Sequence, residues 1–188
     1  RGTAWEPNAT SLRMSDLGYR NRNQSGVEVS VNSLADYVRD LTRAISTPHP
    51  EYERLGVKVD GEYRQLNANL LQIENEFYGT IRPKRVGDSS ERPLTLLRTQ
   101  GIQYIEVRVL DLNPFMPVGI DAEQIRFLDA FLLHCLLSDS PACTRVSYNE
   151  IEENLSRIVN RGREPGLTLS RGGQEVAFAE WADELLQD

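Results

Sequence analysis

The stretch Gln103-Tyr104-Ile105-Glu106-Val107-Arg108-Val109-Leu110, running into Asp111-Leu112-Asn113-Pro114-Phe115, decides how this chain is read. At a period of two, Ile105, Val107 and Val109 fall on one side of a strand and Tyr104, Glu106 and Arg108 on the other. Such a strand is expected to bury its aliphatic face and to present a carboxylate beside a guanidinium. A carboxylate can ligate a divalent cation and a guanidinium can clamp a phosphate or a carboxylate, so the polar face suits phosphoryl chemistry. The alternative for this strand alone is an ordinary ion pair on a solvated face, a feature contributing about 0–1 kcal/mol.

Two further segments carry the same kind of chemistry. Tyr63 to Tyr78 reads as strand in its second half, where Gln72, Glu74, Glu76 and Tyr78 share a side opposite Leu71, Ile73 and Phe77. Like charges in such a ladder repel by about 0.2–1 kcal/mol per neighbouring pair. Cations from Arg82, Lys84 and Arg85, or a metal, would relieve this; otherwise the face is simply solvated. Near the start, Ser11-Leu12-Arg13-Met14-Ser15-Asp16-Leu17-Gly18-Tyr19 offers a guanidinium, hydroxyls, a carboxylate and a phenol before and after a glycine turn. Arginine with tyrosine is a common means of fixing a substrate carboxylate.

Between these segments the pattern is helical. Asn32 or Ser33 caps a helix with Leu34, Tyr37, Val38, Leu41 and Ile45 on one face, stopped by Pro48 and Pro50. Asp60-Gly61 sits in the middle of a hairpin over Val57–Leu66. A short helix is expected over Pro93–Thr99, ending at Gly101. Asp121 and Gln124 form a capping box for a helix whose stripe of Ile125, Leu128, Phe131, Leu132, Cys135 and Leu136 should face a core. Ser147 and Glu150 suggest a second capping box, for a helix ending at Gly162, and Phe178–Leu186 reads as a short amphipathic tail helix. Two or three antiparallel strands among helices, without regular alternation, predict an α+β fold.

Composition narrows the partners. The 188 residues carry a net charge of −7, which argues against nucleic acid or an anionic membrane as the main partner. Local basic clusters (Arg82-Pro83-Lys84-Arg85, and Arg20 with Arg22) suit small anions, or are solvated charge runs. Cys135 and Cys143 have no metal spacing and fit a reducing cytoplasm, with an oxidised pair as the alternative. The longest apolar run, Phe131–Leu137, is far too short to span a bilayer. His134 reads as a packed imidazole in an apolar helix, and His49 lies in a proline-flanked turn. No phosphate-binding Gly-Lys-Ser/Thr loop, dinucleotide glycine set or nucleophile elbow is present, so nucleotide chemistry would need another architecture. The chain opens at Arg1 with no visible secretory signal and has the look of a fragment.

Taken in order and at their separations, Ser11–Tyr19, Leu71–Tyr78 with Ile81-Arg82-Pro83-Lys84-Arg85, and Tyr104–Arg108 with Asp111–Phe115 resemble bacterial glutamate–cysteine ligase, the γ-glutamylcysteine synthetase family. Gly162-Arg163-Glu164-Pro165-Gly166-Leu167 is a fourth match, and the likeness covers roughly residues 9 to 169. The resemblance implies an α+β fold containing part of a glutamine-synthetase-like curved antiparallel sheet with packed helices. It implies ATP-dependent joining of the γ-carboxyl of L-glutamate to the amine of L-cysteine through γ-glutamyl phosphate, in the first step of glutathione synthesis. ATP and Mg²⁺, with Mn²⁺ as an alternative, are the implied cofactors, and neither nucleic acid nor membrane is a partner. By the same resemblance, Glu106 matches a metal-binding glutamate and Arg108 the arginine that contacts the transferred phosphoryl group. Arg13 matches an arginine holding an amino-acid carboxylate, and Tyr19 and Tyr78 match tyrosines lining the cysteine pocket. Lys84 and Arg85 would neighbour the phosphates, and Gln72 and Glu74 would line or brace the cup. Family proteins are longer, so residues 1–188 are expected to be one central piece of the catalytic domain, lacking the carboxy-terminal end and an amino-terminal half that is its missing partner. Two alternatives stand beside this reading: a related carboxylate–amine ligase with another amine acceptor, and, for the isolated fragment, a non-catalytic binding module.

Overall fold

The structure, a computed structural model, describes residues 5–18 and 27–187. The chain divides into two compact units, one of residues 19–109 and one of residues 1–18 with 110–188. Both mix helices with small antiparallel sheets, so the fold class is α+β.

In the 19–109 unit, helix α1 (Leu34–Ser46) starts where the Ser33 hydroxyl accepts from the Asp36 amide at 3.0 Å. Its far end is closed by chain from further on. Asn69 Nδ2 donates to the Ile45 carbonyl at 2.7 Å, Leu70 N to Thr47 at 2.8 Å and Leu71 N to Ala44 at 3.1 Å. These bonds satisfy carbonyls that a helix terminus otherwise leaves orphaned. Pro50, expected only to stop α1, also opens a short helix α2 (Pro50–Leu55), because proline suits the first helical position. The hairpin of β1 (Lys58–Val59) and β2 (Glu62–Tyr63) forms as expected. Asp60 and Gly61 both take positive φ (52° and 87°), the conformation a two-residue hairpin turn requires.

The segment read as a strand ladder is not one. Residues 74–76 form a single 3₁₀ turn, Glu74–Glu76, so Gln72, Glu74, Glu76 and Tyr78 do not share a sheet face. Tertiary bonding outweighs the alternating pattern here: the Glu74 carboxylate accepts from the Leu94 amide at 2.8 Å, in the first turn of helix α3 (Pro93–Gln100). That turn has no side-chain cap of its own, and Glu74 supplies it from twenty positions away. The core around it comprises Val27, Val29, Tyr37, Leu41, Ala44, Leu71, Leu94 and Leu97.

Strand β3 (Ile81–Lys84) pairs antiparallel with β4 (Tyr104–Val107) in the register Ile81↔Val107, Arg82↔Glu106, Pro83↔Ile105 and Lys84↔Tyr104. Burial runs against expectation. The aliphatic face is half open, with Ile81 40% and Ile105 45% exposed, whereas Arg82 on the polar face is only 5% exposed. Polar partners explain this, since the Arg82 guanidinium meets the Glu74 carbonyl at 3.5 Å and bonds to Tyr37. Burial raises the Tyr37 pKa above the usual phenol value of 10.0, and the Glu74 charge adds to this. The nearby Arg82 opposes it.

In the other unit, helix α4 (Ala122–Leu137) has the expected Asp121/Gln124 capping box, but none of its residues is buried. Its predicted core stripe is open, with Leu136 79% exposed. Helix α5 (Arg145–Arg161) is capped by Thr144 with Ser147, three positions ahead of the expected Ser147/Glu150 box, and ends at Gly162 as expected. Glu150 serves elsewhere: it accepts from the Gly173 amide at 2.8 Å and from the Ser170 hydroxyl. It thereby braces the hairpin of β5 (Thr168–Arg171) and β6 (Gln174–Ala177). Helix α6 (Phe178–Gln187) follows. No helix among the described residues is long and apolar enough to cross a membrane, and Cys135 and Cys143 are free thiols.

Candidate functional site

On the 19–109 unit the β3–β4 register gathers charge on one face. Arg82 lies opposite Glu106 and Lys84 opposite Tyr104, and Lys84 Nζ stands 3.7 Å from Glu106 Oε2. This Oε2 is buried without a hydrogen bond among the described residues. A shielded carboxylate oxygen that accepts no hydrogen bond suits a divalent cation, as one of the several oxygen ligands such an ion takes. The remaining ligands are not assembled here, since no three His, Cys, Asp or Glu side chains come together among the described residues.

Arg108 follows one step beyond β4. Its amide donates to the Thr80 carbonyl at 2.8 Å, which extends the ladder and fixes where the side chain leaves the backbone. The guanidinium then lies over the Tyr78 ring, 4.6 Å from the centroid, while the Tyr78 hydroxyl reaches the Arg108 carbonyl at 3.4 Å. Cation–π contact is worth about 0.5–2 kcal/mol and holds the planar fork against a flat wall. The structure therefore pairs Lys84 with Glu106 and Tyr78 with Arg108, both pairs within residues 78–108. Arg85 sits at the end of α3, donating to the Gln100 carbonyl at 3.0 Å with its Nε buried and unpaired among the described residues. Gln72 is spent on local structure, its Oε1 accepting from the Leu66 amide at 2.8 Å. Glu74 braces α3 rather than lining an open face.

Arg13 belongs to the other unit, in a tight segment where Asp111 accepts three hydrogen bonds. Oδ1 receives the Ser11 hydroxyl, and Oδ2 receives the amides of Leu12 and Arg13, each at 2.9 Å. Partial burial works to raise the Asp111 pKa, but these bonds and the Arg13 charge outweigh it and hold the carboxyl below its usual 3.8. Asp111 was quoted in the sequence only as part of a motif. Its position ahead of an Asn-Pro turn was the one available sign that it could anchor backbone amides. Tyr19 lies outside the described residues.

A depressed carboxyl pKa stabilises the fold fully above the unfolded value and loses that contribution as pH falls through the lower folded value. The Leu12 and Arg13 amide resonances should therefore hold steady from neutral pH down to the ordinary carboxylate range. They should titrate with a midpoint below 3.8. A midpoint above that value would contradict the three-bond anchor.

The sequence profile of the family described as glutamate-cysteine ligase matches residues 1–158. The chain belongs to the glutamate–cysteine ligase family. Within it, the chain is 54% identical over 187 residues to the glutamate–cysteine ligase of Shewanella amazonensis, covering 100% of this chain and 36% of that protein. It is 52% identical over 184 residues to the Pseudomonas putida ligase, covering 98% and 35%. The crystal structure of the Francisella tularensis glutamate–cysteine ligase in complex with AMP superposes with a TM-score of 0.90 at 38% identity. That match covers 96% of this chain and 36% of the other. The chain thus spans about a third of the length of the family members it matches.

Proposed function

We propose that this chain is the phosphate- and substrate-binding piece of a glutamate–cysteine ligase acting in the cytoplasm, its 188 residues one fragment of the catalytic domain. The activity is the ATP-dependent joining of the L-glutamate γ-carboxyl to the L-cysteine amine through γ-glutamyl phosphate. The observation carrying this reading is the two pairs, Lys84 with Glu106 on the β3–β4 ribbon and Arg108 with Tyr78 just beyond it, in a member of the family. The AMP bound to the Francisella relative supports a nucleotide site in this chain too.

Arg108 carries the electrostatic part of the reaction. Phosphoryl transfer spreads negative charge over equatorial oxygens, and a preoriented guanidinium stabilises that charge more than it does the ground state. Lys84 adds a second positive charge beside Glu106, and Arg85 extends the basic border toward the phosphates. Glu106 would hold Mg²⁺, or Mn²⁺, which when bound neutralises phosphate charge. Arg13 pairs in fork geometry with an amino-acid carboxylate, and Tyr78 and Tyr19 wall the cysteine pocket. In this reading the ribbon continues into a glutamine-synthetase-like curved sheet contributed by the rest of the ligase, including its amino-terminal half.

In a full-length ligase carrying this chain, ATP-dependent phosphate release with glutamate should be fastest with cysteine across a panel of amine acceptors. Faster release with a different amine would establish the related carboxylate–amine ligase instead. The 188-residue chain assayed alone should give no turnover, because one carboxylate is a small part of a metal site. Sustained product formation by it alone would overturn its role as a piece of the site.

A further inference from the structure

The Arg13 segment is built to hold one backbone conformation, and Asp111 is its central acceptor. Besides the three bonds Asp111 receives, the Ser11 oxygen accepts from the Met14 amide at 3.0 Å, so hydroxyl and carboxylate together bind three consecutive amides, those of residues 12, 13 and 14. The turn then closes through Gly18, whose amide donates to the Ser15 carbonyl at 3.0 Å. A Cβ at Gly18 would lie 2.2 Å from the Arg13 carbonyl oxygen, so only glycine permits this approach. From the other side, the Thr10 amide donates to the Val159 carbonyl at 2.9 Å and Arg163 Nη1 to the Ala9 carbonyl at 2.6 Å, tying the segment to the end of α5. Met14 is buried at 7% exposure, which seats the turn on its apolar side.

This amount of local bonding exceeds what an exposed turn needs to exist. Two backbone amides and a hydroxyl converging on one carboxylate fix the φ and ψ that set where the Arg13 side chain begins. A long guanidinium side chain loses rotamer entropy when it binds a ligand, and a fixed root reduces what remains to be lost. We propose that Asp111 is a positioning residue for the known family reaction: it holds the Arg13 backbone so that the guanidinium meets the amino-acid carboxylate in one geometry. The proposal rests on the role of Arg13 given above. Asp111 acts through Arg13.

The test uses the full-length ligase carrying this chain and steady-state kinetics of Asp111→Ala, Asp111→Asn, Arg13→Ala and the Arg13→Ala/Asp111→Ala pair. Misplacing a binding group by about an ångström commonly costs on the order of 100-fold, so Asp111→Ala should raise KM for one amino-acid substrate roughly 10- to 100-fold. KM for ATP and kcat per folded site should stay within about twofold, as for loss of uniform binding. Asp111→Asn should recover most of the loss, because its carbonyl still accepts both amides and its NH₂ can donate to Ser11. It also keeps the test open if the alanine variant does not fold. On the Arg13→Ala background, Asp111→Ala should add nothing, since residues acting through one another are not additive. An equal, additive KM rise on that background would overturn the proposal, as would a loss of thermal stability with no change in KM. If Arg13→Ala leaves the KM of both amino acids unchanged, the assignment of Arg13 fails and the proposal with it. If Arg13→Ala raises a KM that neither Asp111 variant moves, the positioning role alone fails.

Discussion

Replacing Arg108 by alanine in the full-length ligase that carries this chain is expected to lower kcat by about 10³-fold or more, the range seen when a phosphoryl-contacting arginine is lost. KM for glutamate and cysteine should change far less, because in the proposed reading the charge acts where negative charge develops rather than where the amino acids are held. The geometry makes the effect specific to a guanidinium. Arg108 lies over the Tyr78 ring, 4.6 Å from its centroid, a contact that a planar cation makes well and an ammonium makes as a point charge only. Arg108→Lys should therefore restore only a minor part of the rate. Tyr78→Phe keeps the ring and removes only a hydroxyl contact of 3.4 Å to the Arg108 carbonyl, so its effect through Arg108 should be small. Near-normal kcat in Arg108→Ala, measured by phosphate release, would remove this residue from the reaction.

The second large effect concerns stability. Glu74→Ala should destabilise the 19–109 unit by about 3 kcal/mol, comparable to breaking a buried charge network by deleting one partner. Glu74 is 8% exposed and Arg82 5%; Arg82 bonds to Tyr37 and to the Glu74 carbonyl, and the Glu74 charge acts on Tyr37 from nearby. Deleting the carboxylate would leave the Leu94 amide without its acceptor and the Arg82 charge without a nearby anion. Denaturant unfolding of the chain, followed by circular dichroism, would measure the loss. Glu74→Gln should fall between wild type and alanine, since its carbonyl can still accept from Leu94. The pair Glu74→Gln/Arg82→Met should be less unstable than the sum of the two single changes, because the second removes the uncompensated charge. A change below about 1 kcal/mol for Glu74→Ala would show that solvent compensates the cluster. Such a result would leave α3 capped by something other than Glu74.

The elements that local chemistry controls were legible without coordinates. Ser33, the Asp60-Gly61 turn, the Asp121/Gln124 box and Gly162 each act within a few residues of themselves, and each stands where the sequence put it. The second capping box was misassigned because Ser147 matches two patterns; as the third helical residue of α5 it pairs back to Thr144. The Gly172-Gly173 turn between β5 and β6 carries a hairpin signal in its two glycines, both at positive φ. The stretch from Gln72 to Tyr78 misled for a different reason. Alternation of polar and apolar residues describes a strand only where a partner strand is present, and here the polar residues found other partners.

The sequence by itself determined the family, through the order and spacing of its motifs, and it determined the α-helices other than the short α2, because their caps and apolar periods are local. Its most informative strand, Tyr104–Val107, was also found by period alone. The tertiary structure alone decided which side of that strand is covered, because burial depends on what packs there, and Tyr37 and Glu74 supply partners for Arg82 that no periodicity encodes. It alone set the Glu74 carboxylate on the Leu94 amide at the start of α3. It alone brought Asp111 to Ser11 and Arg13, across about one hundred positions of chain. A hydrogen bond between residues that distant exists only once the intervening chain has folded, and a carboxylate carries no mark of which amides it will meet.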